Sequence, residues 1–414
     1  MSKNSFMASV KWLQLMILAA GAGAVYFLPY VRSSYYDSLI TALGVTNTQL
    51  GMIASAYGIF TIFCYFPGGW LADKISPRKL LTFTFISTAM GGFYYSTFPA
   101  FSQIVMLHMF FGITTTLTFW GAFIKAARQC GTKETQGKVF GTVEGVRRLF
   151  STFIGLGTVA IFAKYVNETA GLRAVILAYS WILLILGILT WFLFKDVSEE
   201  DANEKTTISF QDIKIAFKKP AIWLNALIII CAYTSYSLAD YLTPYLTGVC
   251  GVSAALGAMI ATLRTYAIGP LGSISAGIIA DKISSSKTII YAFCVVIITN
   301  VLYIIIPGSP KVLMFVVFNM FILMTAHFAV RGVYYALLEE GKVPMKITGI
   351  AIGIIATIGY LPDAFIFTVA GHLLDTYPGV LGYKYIFTIS TLAAALGLIF
   401  TIIFRKVVES KVSV

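Results

Sequence analysis

The chain has 414 residues, of which 58% are hydrophobic, 15% aromatic and only 12% charged, about half the charged share of an average soluble domain. That leaves too little charge to solvate a globular surface and too much apolar surface for a disordered chain, so the outer face of the molecule is expected to meet lipid. The formal net charge of +12 would point to nucleic acid in a soluble protein, but here it must first be weighed against membrane topology.

A spanning helix needs about 20 mostly apolar residues. Twelve such segments occur in order, at roughly 11–43, 48–72, 80–98, 101–127, 138–163, 172–195, 221–248, 252–280, 287–307, 311–337, 346–372 and 380–404. The first is over-long and contains Pro29, which predicts a kink or a break. The polar stretch 196–219 divides the chain, giving an expected organisation of a six-helix half at 1–195, a linker at 196–220 and a second six-helix half at 221–414. The basic, amphipathic end of the linker suits a segment lying along the membrane surface.

Charge sets the expected orientation. With both termini in the cytoplasm, the inner loops and helix ends hold most of the Lys and Arg, including Lys74, Arg78, Lys79, Lys125, Arg128, Lys133, Lys205, Lys282 and Lys346. The outer loops hold only Lys164, Arg173, Lys311 and Lys384. This is the positive-inside pattern of a multi-pass protein of the cell's inner (plasma) membrane. It accounts for the basic excess and removes nucleic acid as an expected partner. The five cysteines show no CxxC spacing and the three histidines form no metal motif, so no metal and no cofactor are expected.

Two internal copies mark the architecture. Residues 69–76 read Gly-Trp-Leu-Ala-Asp-Lys-Ile-Ser and residues 277–284 read Gly-Ile-Ile-Ala-Asp-Lys-Ile-Ser, each after the second span of its half. Two repeated halves are the layout of many secondary transporters. The run Gly69-x-x-x-Asp73-Lys74-x-x-x-Arg78-Lys79, echoed at Gly277, Asp281, Lys282 and Lys287, resembles the loop signature of the major facilitator superfamily, with Ser76 where the pattern normally has Gly. The resemblance covers the whole chain. It implies an all-α membrane protein of twelve transmembrane helices in two six-helix repeats. It further implies a gating latch in which Asp73 engages Lys125 or Arg128. Gly69 is expected to allow close helix approach.

Charges within spans are costly and usually paired or functional. Arg32, Glu144, Arg147, Arg148, Asp240, Arg264, Arg331 and Asp363 all fall within spans, five cations against three carboxylates. Such an excess attracts an anion. Arg32 stands among Tyr30, Tyr35 and Tyr36 and lies 19 residues before Gly51, as Asp240 lies 17 before Gly257, so the two charges should sit at similar depth. The run Tyr26 to Arg32 is similar to the organophosphate:phosphate antiporter branch. That branch carries a second arginine where this chain has Ser235, a place for which Arg264 is the candidate substitute. The run from Arg331 to Pro344 resembles bacterial facilitators grouped with nitrate transporters. Adjacent arginines on a helix point about 100° apart, so Glu144 is not expected to satisfy both Arg147 and Arg148. Arg331 is expected to pair with Glu339 or Glu340 in an inner gate. Glu144, His108 and Asp363 are candidates for coupling, and Arg32 above all, with Tyr30, Tyr36, Arg147, Arg148, Tyr233, Asp240, Arg264 and Tyr266, for substrate contact.

These features predict a secondary transporter, not an enzyme, acting as a monomer. It would carry a small organic anion (a sugar acid, organophosphate, carboxylate or sulfonate) by alternating access, coupled to protons or a counter-anion. A proton-coupled sugar or drug facilitator and a non-transporting scaffold or receptor are the alternatives. The absence of a Gly-Pro pair at 154–161 counts against drug efflux. In a background lacking native cysteines, Asp201→Cys and Glu204→Cys should react with an impermeant maleimide only from the cytoplasmic side, and Asn167→Cys only from the outer side. Outside labelling of the linker would overturn this topology.

Overall fold

The computed structural model describes residues 3–130, 136–195 and 210–410. The linker stretch 196–209, with Asp201, Glu204 and Lys205, and the loop residue Lys133 lie outside the described residues. Among the described residues every regular element is helical.

Among the described residues, ten helical segments are long and apolar enough to cross a membrane: Asn47–Tyr65, Phe101–Gln129, Val139–Phe162, Glu168–Leu193, Pro220–Gly248, Ala254–Ile283, Ser285–Ile305, Pro310–Glu340, Met345–Thr376 and Val380–Val408. They are the second span and the fourth to the twelfth. The other two have evident reasons for falling short. The first is broken around Pro29, as expected, into Lys3–Ala24, a 3-10 turn at Val31–Ser33 and Tyr36–Leu43. The third, Pro77–Tyr95, opens with Arg78 and Lys79 and carries Thr82, Thr84, Ser87 and Thr88.

The chain divides into two compact units. One comprises residues 1–45, 52–201 and 254–262; the other comprises 46–51, 202–253 and 263–414. In the first unit the first span packs on the fifth and sixth, and the third on the sixth. A π-helical turn, Ile113–Leu117, interrupts the fourth span. Its threonines satisfy the loosened backbone: Thr115 donates to Phe111 O (2.7 Å) and Thr118 to Thr114 O (2.9 Å). Thr84 and Thr88 of the third span bond the same turn at Thr118 (2.7 Å) and Thr114 (2.9 Å). In an apolar medium such bonds replace the water that would otherwise solvate a broken helix.

In the second unit the seventh span packs on the eleventh and twelfth, the ninth on the tenth and twelfth, and the eighth on the tenth. The seventh span is interrupted by a 3-10 turn at Ala239–Tyr241, the eighth by a π turn at Leu263–Ile268, the tenth by Tyr334–Ala336 and the eleventh by Leu361–Ala364. Helix Phe210–Lys218 ends the linker. It buries Asp212 against Lys346 Nζ (2.9 Å) and leaves Ile215 and Phe217 exposed, an amphipathic arrangement suited to an interface.

The start of the second span, also in the second unit, is held by a carboxylate from the eleventh. Asp375 accepts from Asn47 N (3.1 Å) and Nδ2 (2.8 Å), and from Thr48 N (2.7 Å) and Oγ1 (2.5 Å). It thus caps the orphan N–H groups of that helix and complements its dipole. Gly51 and Gly371 allow the approach, since a Cβ on either would strike the facing backbone at Phe367 or Asn47. Replacing a capping side chain by alanine costs about 0.5–2 kcal/mol. Asp375→Ala should therefore lower the thermal midpoint in detergent, with Asp375→Asn falling between it and the parent. Equal midpoints for all three would show that the cap carries no weight.

Candidate binding site

The seventh span presents Tyr233, Tyr236, Ser237 and Asp240, spaced i, i+3, i+4 and i+7, along one face. Against this face, in the second unit, lies Arg331. Its guanidinium carbon is 4.2 Å from the Tyr236 ring centre and 5.7 Å from the rings of Tyr233 and Phe328. Among the described residues Arg331 forms no ion pair and no hydrogen bond, and none of its nitrogens is sealed from open space. The cation is held by aromatic faces and its N–H groups remain available. The expected gate pair is therefore not formed. Glu340 accepts from the backbone N–H (3.0 Å) and the hydroxyl of Ser286, and Glu339 is exposed. The 3-10 turn at Tyr334–Ala336 breaks the helical phase between Arg331 and both glutamates.

Asp363 sits in the break of the eleventh span, 7% exposed. It accepts from Tyr233 Oη (2.8 Å) and Ser237 Oγ (3.2 Å). The Tyr360 ring packs edge-on against Tyr233 at 4.7 Å. Its hydroxyl meets those of Tyr334 (3.0 Å) and Tyr335 (3.3 Å). Arg264 is already engaged: 1% exposed, it donates to Ala239 O (2.8 Å) and lies 3.6 Å from Asp240 Oδ1. It thus holds the break of the seventh span through a main-chain oxygen, while its buried Nε has no hydrogen-bond partner among the described residues. Tyr266 lies in the π turn of the eighth span, partly buried.

Sequence reasoning missed His327. Its Nε2 meets Ser235 Oγ at 2.9 Å, and Ser235 in turn meets Ser390 Oγ at 2.7 Å. Ser235 thus belongs to a buried polar chain. The position of His327 four residues before Arg331 is the available signal, since i and i+4 share a helix face.

In the first unit, Arg32 lies in the 3-10 turn of the first span and is 3% exposed. Tyr30 packs edge-on against Tyr57 (5.3 Å) and Tyr26 (6.5 Å), and Tyr57 bonds Thr115 Oγ1 (2.9 Å). Tyr36 is buried. Glu144 does serve both neighbouring arginines, against expectation. Arg147 donates Nε to Oε2 (2.7 Å) and Nη2 to Oε1 (2.5 Å), and Arg148 donates Nε to Oε1 (2.8 Å). The two oxygens of one flexible carboxylate accept both guanidinia despite their angular separation. His108 is buried, with Nδ1 3.0 Å from Ile104 O and its ring edge-on to Tyr95 at 5.4 Å.

The signature loop also departs from expectation. A Cβ on Gly69 would meet nothing, whereas one on Gly68 would lie 3.0 Å from the carbonyl oxygens of Thr116 and Leu117. The close helix approach is one residue earlier. Lys125 Nζ reaches the main-chain oxygens of Ala72 (2.9 Å) and Asp73 (3.5 Å) rather than the Asp73 carboxylate, because unsatisfied carbonyls at a helix C-terminus attract a cation. Lys74 covers Trp70 (4.2 Å) and Arg78 covers Trp191 (4.5 Å). Asp73, Lys79, Arg128 and Asp281 are exposed, as is Gly277's neighbour Ile278. Among the described residues no group of His, Cys, Asp and Glu is placed to hold a metal ion.

A model of the Major Facilitator Superfamily matches residues 12–365. The chain is 31% identical to the inner membrane protein YqcE of Escherichia coli (strain K12), covering 98% of this chain and 97% of that protein. It is 26% identical to the probable sulfoacetate transporter SauU of Cupriavidus necator, over 63% of each. A crystal structure of the nucleoside transporter NupG, in a mutant form, superposes with a TM-score of 0.75 at 14% identity, covering 96% of this chain and 99% of that one. With its apolar spans and a family match over most of its length, the chain belongs to the Major Facilitator Superfamily and is a membrane transporter, not an enzyme.

Proposed function

We propose that this transporter carries a small organic anion across the inner membrane, and that Arg331 holds the anionic group. The observation that carries the reading is a guanidinium fixed on the face of Tyr236, with no ion pair or hydrogen bond among the described residues and with N–H groups open to a ligand. A planar fork of this kind matches a carboxylate, sulfonate or phosphate. The similarity to a probable sulfoacetate transporter supports an anionic cargo, and the name of YqcE supports the inner membrane. Asp363, within reach of Tyr233, is the group we assign to coupling, by protons or by a counter-anion. Arg32, buried in the turn of the first span, is assigned to holding that turn. Alternating access moves the bound anion from one side to the other, with the signature loop of Gly69, Asp73, Lys74, Arg78 and Lys79 as part of the gate.

The test uses sulfoacetate and gluconate as probes, with binding measured by calorimetry and transport by counterflow in proteoliposomes. A charge-assisted hydrogen bond contributes about 1.5–3 kcal/mol, or roughly ten- to over a hundredfold in affinity. Arg331→Gln should lose that much, and Arg331→Lys should recover only part because it lacks the fork. Arg32→Ala should lower the thermal midpoint more than the affinity. Unchanged affinity in Arg331→Gln, or no binding of either probe by the parent protein, would sink this reading.

A further inference from the structure

We infer that the cargo is a hydroxylated monoanion, of the sugar-acid class; this rests on the reading of Arg331 as the anion ligand and narrows it. Charge is the first ground. Of the two arginines in this cluster, Arg264 is engaged with Asp240 and Ala239 O. Arg331 is left to meet the ligand. With Asp240 matched by Arg264, Arg331 and the Asp363 carboxylate remain, a balance that tolerates one added negative charge better than the nearly two that a phosphate monoester brings near neutral pH.

The second ground is the acceptors. The breaks of the seventh and eleventh spans each display a carboxylate, Asp240 with a side chain 24% exposed and Asp363 oriented by Tyr233 and Ser237. A bare anion meets these groups as like charges. A ligand with hydroxyl donors along its body offers them hydrogen bonds while its charged end lies at Arg331. The site therefore presents both signs, and Arg331 and Asp363 are linked through the same residue: Tyr233 faces the first with its ring and donates to the second.

The third ground is the phenol cluster. Tyr334, Tyr335 and Tyr360 bring three hydroxyl groups together, with oxygens 3.0 and 3.3 Å apart. A phenol hydroxyl both donates and accepts, so it fits a partner with the same dual character, which an alcohol has and an alkyl chain lacks. The ring faces of Tyr233, Tyr236 and Tyr360 supply apolar contact for the C–H side of such a chain.

The test compares ligands of matched length. Gluconate and its stereoisomers galactonate and mannonate carry the charge and the hydroxyl groups, hexanoate carries the charge alone, and sorbitol carries the hydroxyl groups alone. Binding to the purified full chain is read by thermal shift and calorimetry. At least one aldonate should bind about ten times or more tighter than hexanoate and than sorbitol. Tyr360→Phe should weaken that aldonate about three- to tenfold, the range of one or two neutral hydrogen bonds, and leave hexanoate unchanged. Tyr335→Phe serves as the second variant should Tyr360→Phe not fold. Equal binding of hexanoate and the aldonates would overturn the hydroxyl inference while leaving the anion reading intact. Equal binding of sorbitol would overturn the anion reading itself. Silence from all three aldonates would overturn the inference outright.

Discussion

Inside a bilayer every peptide N–H and C=O must find a partner within the protein, because an unsatisfied group costs several kcal/mol in hydrocarbon. A continuous helix meets this requirement by itself; a broken one does not. The interruptions described above are accordingly accompanied by polar side chains. The π turn of the fourth span is stitched by Thr114, Thr115 and Thr118. The break of the seventh is held by Arg264, through the carbonyl of Ala239. The break of the eleventh contains Asp363, bonded to Tyr233 and Ser237. The same constraint that makes breaks expensive gathers polar chemistry at them, and a transporter uses that chemistry to meet its cargo.

The chain handles its intramembrane arginines in different ways. Arg147 and Arg148 share Glu144. Arg264 uses a carbonyl oxygen and a more distant carboxylate. Pairing of this kind cancels charge and consumes N–H donors. Arg331 is stabilised by Tyr236 and its neighbours instead. Cation–π contact is worth about 0.5–2 kcal/mol or more when desolvated, and it acts on the flat face of the guanidinium. The edge, where all the donors lie, is left for another partner. A carboxylate in the position of Tyr236 would hold the arginine more firmly and spoil it for an anion.

The twelve spans are legible in the sequence because hydropathy over about 20 residues has no competing explanation in a chain with so little charge. The break at Pro29 is legible because proline removes a donor and clashes with the preceding turn. Side-chain partners are less so. Arg331 and Glu339 are eight residues apart, and regular helical spacing would put them two turns apart on neighbouring faces. The 3-10 turn at Tyr334–Ala336 spoils that phase, and nothing in Tyr-Tyr-Ala announces it. Glu144 escapes prediction because a rule about Cα directions ignores the reach of a flexible carboxylate. Gly69 differs from expectation by one position, since two consecutive glycines leave the contacting one to be decided by helix rotation. The phenol cluster is hidden for a related reason: Tyr334 and Tyr335 come from the tenth span and Tyr360 from the eleventh, and only packing brings their hydroxyls together.

A similar competition explains the signature loop. The C-terminal end of a helix carries unsatisfied carbonyls and a partial negative charge, so Asp73 and the main chain around it compete for the same cation. Lys125 goes to the carbonyls of Ala72 and Asp73, where short range and fixed geometry favour the ammonium, while a carboxylate exposed to water loses little by staying hydrated. Lys74 and Arg78 turn to tryptophan faces instead. These basic residues are thus occupied without neutralising the loop's one carboxylate. A charge left in that condition is inexpensive to engage and inexpensive to release, which is what a group must be if it is to form and break a contact in every transport cycle. Arg331 satisfies the same condition in the interior by the opposite route, through an aromatic seat in place of water.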